Sequence, residues 1–175
     1  WIDMGIQPVN ISVNQSKIVF YHENYISELK SLLKEYDVSA SYITLEVLES
    51  TVIEDFKLFN QILLEVKKLG FSVSLDDFGS GYSSLNVLSK LTIDELKIDR
   101  IFLHIDSDLE NKKTKWILEG IINIAKKSNI RVVVEGVESS KDDEFIRCLG
   151  ANVGQGYYYS RPLSIDAFND LIHKK

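Results

Sequence analysis

Six acidic side chains stand toward the ends of short apolar runs, and one lysine stands within another. Glu46 and Glu49 close the run at 43–48, Asp76 and Asp77 close the run at 71–76, and Glu135 and Glu138 follow the run at 130–134. Lys97 lies inside a brief run at 95–98. Carboxylates gathered around a single ammonium are costly to bury unless cations neutralise them. Oxygen ligands of this kind suit Mg²⁺ or Mn²⁺. Two adjacent aspartates, one able to bridge, suit a two-metal site that clamps an in-line displacement at phosphorus. Residue types alone therefore point to metal-assisted phosphoester hydrolysis.

Periodicity indicates the elements that hold these groups. Strands are predicted at 8–14, 43–48, 71–76, 95–98, 130–134 and 152–157. Between them run helical patterns. Ile26, Leu29, Leu33 and Tyr36 share one face, and Phe56, Phe59, Leu63 and Val66 share another in a helix ended by Gly70. Further helices are predicted from about 83, at 116–127, at 142–149, and after Ser164, which can cap the last one. Such alternation implies a parallel sheet with right-handed crossovers.

An open doubly wound sheet and a TIM-like barrel both satisfy that order, and the strand faces choose between them. Asn10, Ser12 and Asn14 share one face of the first strand, while Val9, Ile11 and Val13 share the other. Ser72, Ser74 and Asp76 share a face, as do Lys97 and Asp99. A sheet covered by helices on both sides reads as continuous Val, Ile and Leu, so one polar face favours the barrel. Barrel chemistry sits at the C-terminal ends of strands, where the acidic residues fall.

Bulk composition narrows the classes. With 26 acidic and 20 basic side chains the net charge is −6, so the chain has no basic surplus for a nucleic-acid polymer. The single cysteine, Cys148, excludes an internal disulfide and fits a reducing compartment. No apolar run approaches a membrane span, and the first residues lack signal-peptide character. Cys148 is expected to be a buried thiol, and Trp116 and Tyr157 to Tyr159 are expected to pack in the core or at the barrel rim. His22, His104 and His173 match no site pattern.

The segments VNIS at 9–12, LEVLES at 45–50, SLDDFGSGYSSL at 74–85, LKIDR at 96–100, VVEGVES at 133–139 and GQGYYYSRPL at 154–163 occur in one order along the chain. In that order they resemble the EAL domain of bacterial cyclic-di-GMP phosphodiesterases. The resemblance implies a TIM-like (β/α) barrel and hydrolysis of one 3′–5′ phosphodiester bond to give linear pGpG, with a two-metal Mg²⁺ or Mn²⁺ site. Carried over by position, Asn10, Glu46, Asp76 and Asp77 match metal ligands, with Asp76 the bridge. Glu135 matches the acidic residue at the second metal and the attacking water. Lys97 matches the lysine that orients that water, and Glu49 the glutamate that anchors the DDFGSGYSS loop. Gln155, Ser80 and Gly81 match the substrate side.

Two departures shape the expectations. Leu48 stands where the family usually has Thr. The Glu-Ala-Leu tripeptide is absent from these 175 residues, and its Glu is a metal ligand in the family. A single domain fragment over 1–175 is therefore expected, with six of eight strands and the first two lying before residue 1. Weak activity of this fragment alone is expected. Homodimers through the DDFGSGYSS loop or through open edge strands, further signalling domains on the N-terminal side, and a cytoplasmic domain in a parent with a possible membrane anchor complete the expectations. The competing reading is a non-catalytic EAL domain that binds cyclic-di-GMP or a protein partner.

Overall fold

Strand and helix patterns alternate along the chain and build one parallel sheet of six strands in the order β1-β2-β3-β4-β5-β6. The computed structural model describes residues 1–52, 56–80, 85–103, 108–151 and 153–173. The strands are β1 (Ile11–Gln15), β2 (Ile43–Leu48), β3 (Ser72–Phe78), β4 (Glu95–Ile98), β5 (Arg131–Val134) and β6 (Val153–Gly154). After β1 come α1 (Lys17–Phe20) and α2 (Tyr25–Tyr36), and after β2 come α3 (Glu49–Val52) and α4 (Phe56–Lys68). The later strands are followed by α5 (Leu85–Lys90), α6 (Asp108–Lys127), α7 (Ser140–Cys148) and α8 (Ile165–His173). This is a six-strand arc of a TIM-like barrel, with β1 and β6 as the end strands.

The two faces of the arc divide by polarity. Leu45, Val47, Val73, Leu75, Leu96, Ile98, Val132 and Val134 are buried against helix residues such as Phe59, Leu63, Val66, Leu118, Ile122 and Ile146. Phe20 joins this core, with its ring 5.0 Å from that of Phe59. Truncating a fully buried residue such as Leu63 to Ala costs about 2–5 kcal/mol. The opposite face buries Thr44, Glu46, Ser74, Asp76, Glu95 and Lys97. Alternate residues along a strand point to opposite sides, so one sequence pattern produces both a greasy exterior and a charged interior.

Polar contacts tie the N-terminal ends of the strands. Glu95 accepts from Arg131 Nε at 2.6 Å across the β4–β5 pair. Asp94 receives Lys67 Nζ at 2.7 Å through one oxygen and the Val73 amide at 2.9 Å through the other. Helix ends follow the sequence signals. Ser139 and Asp142 form a reciprocal capping box on α7, and Ser164 accepts from the Ala167 amide at 3.3 Å ahead of α8.

Two packing expectations are corrected. Cys148 is exposed, because α7 turns Ile146 and Leu149 inward and leaves position 148 off that face. Trp116 is exposed, because α6 buries Leu118, Ile121, Ile122 and Ala125 and this face excludes position 116. Tyr157, Tyr158 and Tyr159 are exposed and pack at the rim: Tyr157 lines the cavity beside Glu135 and lies under the Arg161 guanidinium at 4.8 Å, and the rings of Tyr158 and Tyr159 meet at 5.3 Å. Among the described residues no helix is long and apolar enough to cross a membrane.

Candidate functional site

The C-terminal ends of four neighbouring strands bring the charged residues together. Lys97, on β4, donates to Glu135 at 2.7 Å, lies 3.0 Å from Asp76 on β3, and lies 3.2 Å from Glu46 on β2. Glu135 follows β5 directly and is fixed by its backbone N–H, which donates a hydrogen bond to the Ile98 carbonyl at 2.9 Å. Asp76, Asp77 and Glu135 each offer a carboxylate oxygen, and these oxygens all lie within 4.8 Å of one another.

Adjacent residues of a regular strand cannot both serve one face, yet Asp76 and Asp77 do. The pairing of β3 with β4 runs Leu75 to Leu96 and resumes at Phe78 to Ile98, so two residues oppose Lys97 alone. This is a β-bulge, which bends a strand and re-aims a side chain. Asp77 takes φ 57°, in the left-handed region that Asp tolerates better than most residues. Ser80 stabilises the turn by donating to the Asp77 carbonyl from its amide at 3.2 Å and its hydroxyl at 2.9 Å. Phe78 then returns to the buried outer face.

The single ammonium does not neutralise the carboxylates. Burial is the main cause that raises the pKa of Glu135; Lys97 opposes it, and Asp76 and Asp77 add to it. Asp77 is raised by burial first and then by the charges of Asp76 and Asp99. Burial works against the Lys97 ammonium, but its hydrogen bonds to Glu135 and Asp76 outweigh that, and its pKa is raised. Uncompensated negative charge on closely spaced oxygens fits one or more hard divalent cations, and the donor set is entirely oxygen.

The other expected residues fall in different places. Glu49 is buried as the first residue of α3, just beyond β2. Gln155 lines a cavity of about 430 Å³ together with Asp77, Glu135, Arg100 and Tyr157. Ser80 lies in the turn described above, and Gly81 falls outside the described residues.

Asn10 is the correction. It precedes β1, where its side chain accepts from Thr44 Oγ1 at 2.7 Å and donates to the Ser41 carbonyl at 3.3 Å. Both partners lie at the beginning of β2, away from the carboxylates. The residue beside Glu46 in the parallel register is Asn14. Asn10, Ser12 and Asn14 share a face, so alternation could not choose among them. The strand register does, because it aligns Asn14 with Glu46 and Ser12 with Thr44.

Comparisons with known proteins agree with this geometry. The EAL domain profile matches residues 2–162. Over 163 residues the chain is 36% identical to the "bifunctional diguanylate cyclase/cyclic di-GMP phosphodiesterase MucR" of Pseudomonas aeruginosa, covering 93% of this chain and 24% of that protein. The chain thus spans about a quarter of that relative's length. The solved structure described as "PaMucR phosphodiesterase, c-di-GMP complex" superposes with a TM-score of 0.85 at 35% identity, over 96% of this chain and 67% of that one. A manganese and cyclic-di-GMP complex of Klebsiella pneumoniae BlrP1 superposes with a TM-score of 0.78 at 26% identity, over 87% of this chain and 39% of that one.

Proposed function

Since the chain belongs to the EAL domain family, we propose that its parent protein hydrolyses cyclic-di-GMP to linear pGpG in bacterial second-messenger signalling. The observation that carries this reading is the convergence of Asp76, Asp77 and Glu135 oxygens within 4.8 Å beside a buried lysine. The named relatives support the substrate, since MucR is described as a cyclic di-GMP phosphodiesterase and its structure as a complex with c-di-GMP.

In this reading Glu46, Asp76, Asp77 and Glu135 hold divalent cations, Mg²⁺ or Mn²⁺, with Asn14 beside Glu46 as an added oxygen donor. Bound divalent cations supply an activated water and offset charge on the phosphoryl oxygens. The bulge at Asp76 and Asp77 directs two carboxylates to one point. Lys97 fixes the Glu135 carboxylate from 2.7 Å, and the raised proton affinity of Glu135 suits it to take a proton from a water in the cavity. Gln155 and Tyr157, on the cavity wall, contact the nucleotide. Glu49 anchors the segment after β3, of which Ser80 is the described part and Gly81 the continuation.

The test is turnover by the full-length protein with Mn²⁺ or Mg²⁺, following pGpG by chromatography. Asp76→Asn and Glu135→Gln should each lower it by at least about 100-fold, since loss of outer-shell partners alone costs 10–100-fold at metal sites. Tight binding of cyclic-di-GMP with no turnover in the unsubstituted protein would instead establish the non-catalytic, ligand-sensing reading.

Homodimers form through the DDFGSGYSS segment, which begins in β3 and continues beyond it. Further signalling domains precede this one, in keeping with its covering only 24% of MucR. The domain acts in the cytoplasm, with the parent anchored to the membrane or free; a single cysteine suits that compartment. Light scattering and fractionation of the full-length protein test these readings.

A further inference from the structure

We propose that Lys97 competes with divalent cations for the carboxylates of this site and thereby sets its metal affinity. The inference rests on the metal-site reading above. An ammonium has three N–H donors. Lys97 has three acidic partners, Glu46 at 3.2 Å, Asp76 at 3.0 Å and Glu135 at 2.7 Å. Two of these, Asp76 and Glu135, belong to the trio whose oxygens converge within 4.8 Å. A cation that takes those oxygens must compete with an N–H for them, and it does so beside a fixed positive charge.

Lys97 has little freedom to withdraw. It is 4% exposed and sits in mid-strand, paired with Val133 of β5. The bulge sets Asp76 and Asp77 opposite it, so the same backbone feature that gathers the carboxylates also keeps Asp76 within 3.0 Å of the ammonium. A lysine serving only to orient one group needs one partner. Three partners, drawn from β2, β3 and the residue after β5, describe a counter-ion shared by Glu46, Asp76 and Glu135.

Arg131 supplies the internal control. It belongs to the same interior face, but it pairs with Glu95 at the N-terminal end, and its side chain is 58% exposed. It shares no carboxylate with Lys97 among the described ion pairs.

The experiment titrates the full-length protein with Mn²⁺ alone and follows free Mn²⁺ by electron paramagnetic resonance. Lys97→Met should bind Mn²⁺ about tenfold tighter or more, within the range usual for coupled sites. Arg131→Gln should change affinity less than about twofold, and Lys97→Arg, which keeps the charge, should bind no tighter than the unsubstituted protein. Without metal, Lys97→Met should melt earlier, and Mn²⁺ should raise its Tm by more than it raises that of the unsubstituted protein. Equal or weaker Mn²⁺ binding by Lys97→Met would overturn the proposal, as would equal tightening by Arg131→Gln. If Lys97→Met does not fold, Lys97→Gln takes its place, and tighter binding by Lys97→Arg remains contrary evidence. Asp76→Asn separates the two readings, since it must weaken Mn²⁺ binding if the metal reading holds, whatever Lys97 does. Absence of Mn²⁺ binding in every variant would overturn both.

Discussion

Asn14 stands directly across from Glu46 in the parallel register of β1 and β2, whereas Asn10 is tied to Thr44 and Ser41 at the strands' other end. The two asparagines therefore carry different duties. Asn14→Ala should weaken Mn²⁺ binding and leave thermal stability nearly unchanged, because Asn14 is exposed. Asn10→Ala should do the reverse, losing about 0.5–1.5 kcal/mol with its Thr44 hydrogen bond while metal affinity holds. Calorimetry and Mn²⁺ titration of the pair check both halves.

The bulge makes a prediction about Asp77. Asparagine tolerates positive φ, and a β-branched residue does not. Asp77→Asn should keep the fold within about 1 kcal/mol, while Asp77→Val should lose about 1–3 kcal/mol from backbone strain. Both should bind Mn²⁺ poorly, since each removes the charge. Equal melting temperatures for Asn and Val would show that the φ of 57° is not held in solution.

Gly136 offers a purely steric test. It has φ 69°, and a Cβ there would lie 2.3 Å from the Arg100 Cβ. Gly136→Ala must push back the segment containing Asp99 and Arg100, which face the same cavity. Stability should fall by about 1–3 kcal/mol, and kcat/KM should fall with it. Unchanged Tm and activity would refute the close approach.

The pH dependence follows from Glu135 and Asp77, both raised chiefly by burial. Each holds its proton to higher pH in the fold than in the unfolded chain. These two groups therefore favour folding below their unfolded pKa values, and that contribution is lost as pH rises through the folded ones. Metal binding has the opposite sign, because a protonated carboxyl presents no charge to a cation. Mn²⁺ affinity should keep rising with pH above 4.5, the ordinary Glu value. Titrations between about pH 4.5 and 8 test this window; affinity that has already levelled off at its lower end would contradict it.

Much of this was legible in the sequence because strand alternation is strict. The polar faces around Ser74, Asp76 and Lys97 and the acidic strand ends specified both the barrel arc and its mouth. The boundaries 43–48 and 95–98 match β2 and β4. What escaped was whatever depends on pairing. The register that selects Asn14 over Asn10 belongs to two strands at once, and the bulge at Asp76 and Asp77 exists only relative to Lys97. Exposure of Trp116 and Cys148 escaped for a related reason. Both sit next to buried apolar residues in helices, and only docking decides which face turns inward.

The gathering around Lys97 also sets an order of events. Glu46, Asp76, Asp77 and Glu135, when ionised, carry with Lys97 a net of three negative charges, and Asp99, Glu138 and Arg100 line the cavity beside them at the barrel mouth. A phosphodiester approaching that mouth is repelled, and the chain's overall charge of −6 adds to the repulsion at a distance. Two divalent cations would offset that charge and leave the mouth close to neutral once Asp99, Glu138 and Arg100 are included. Metal loading would therefore remove the repulsion, and a phosphodiester would meet a weaker barrier at the loaded mouth than at the empty one.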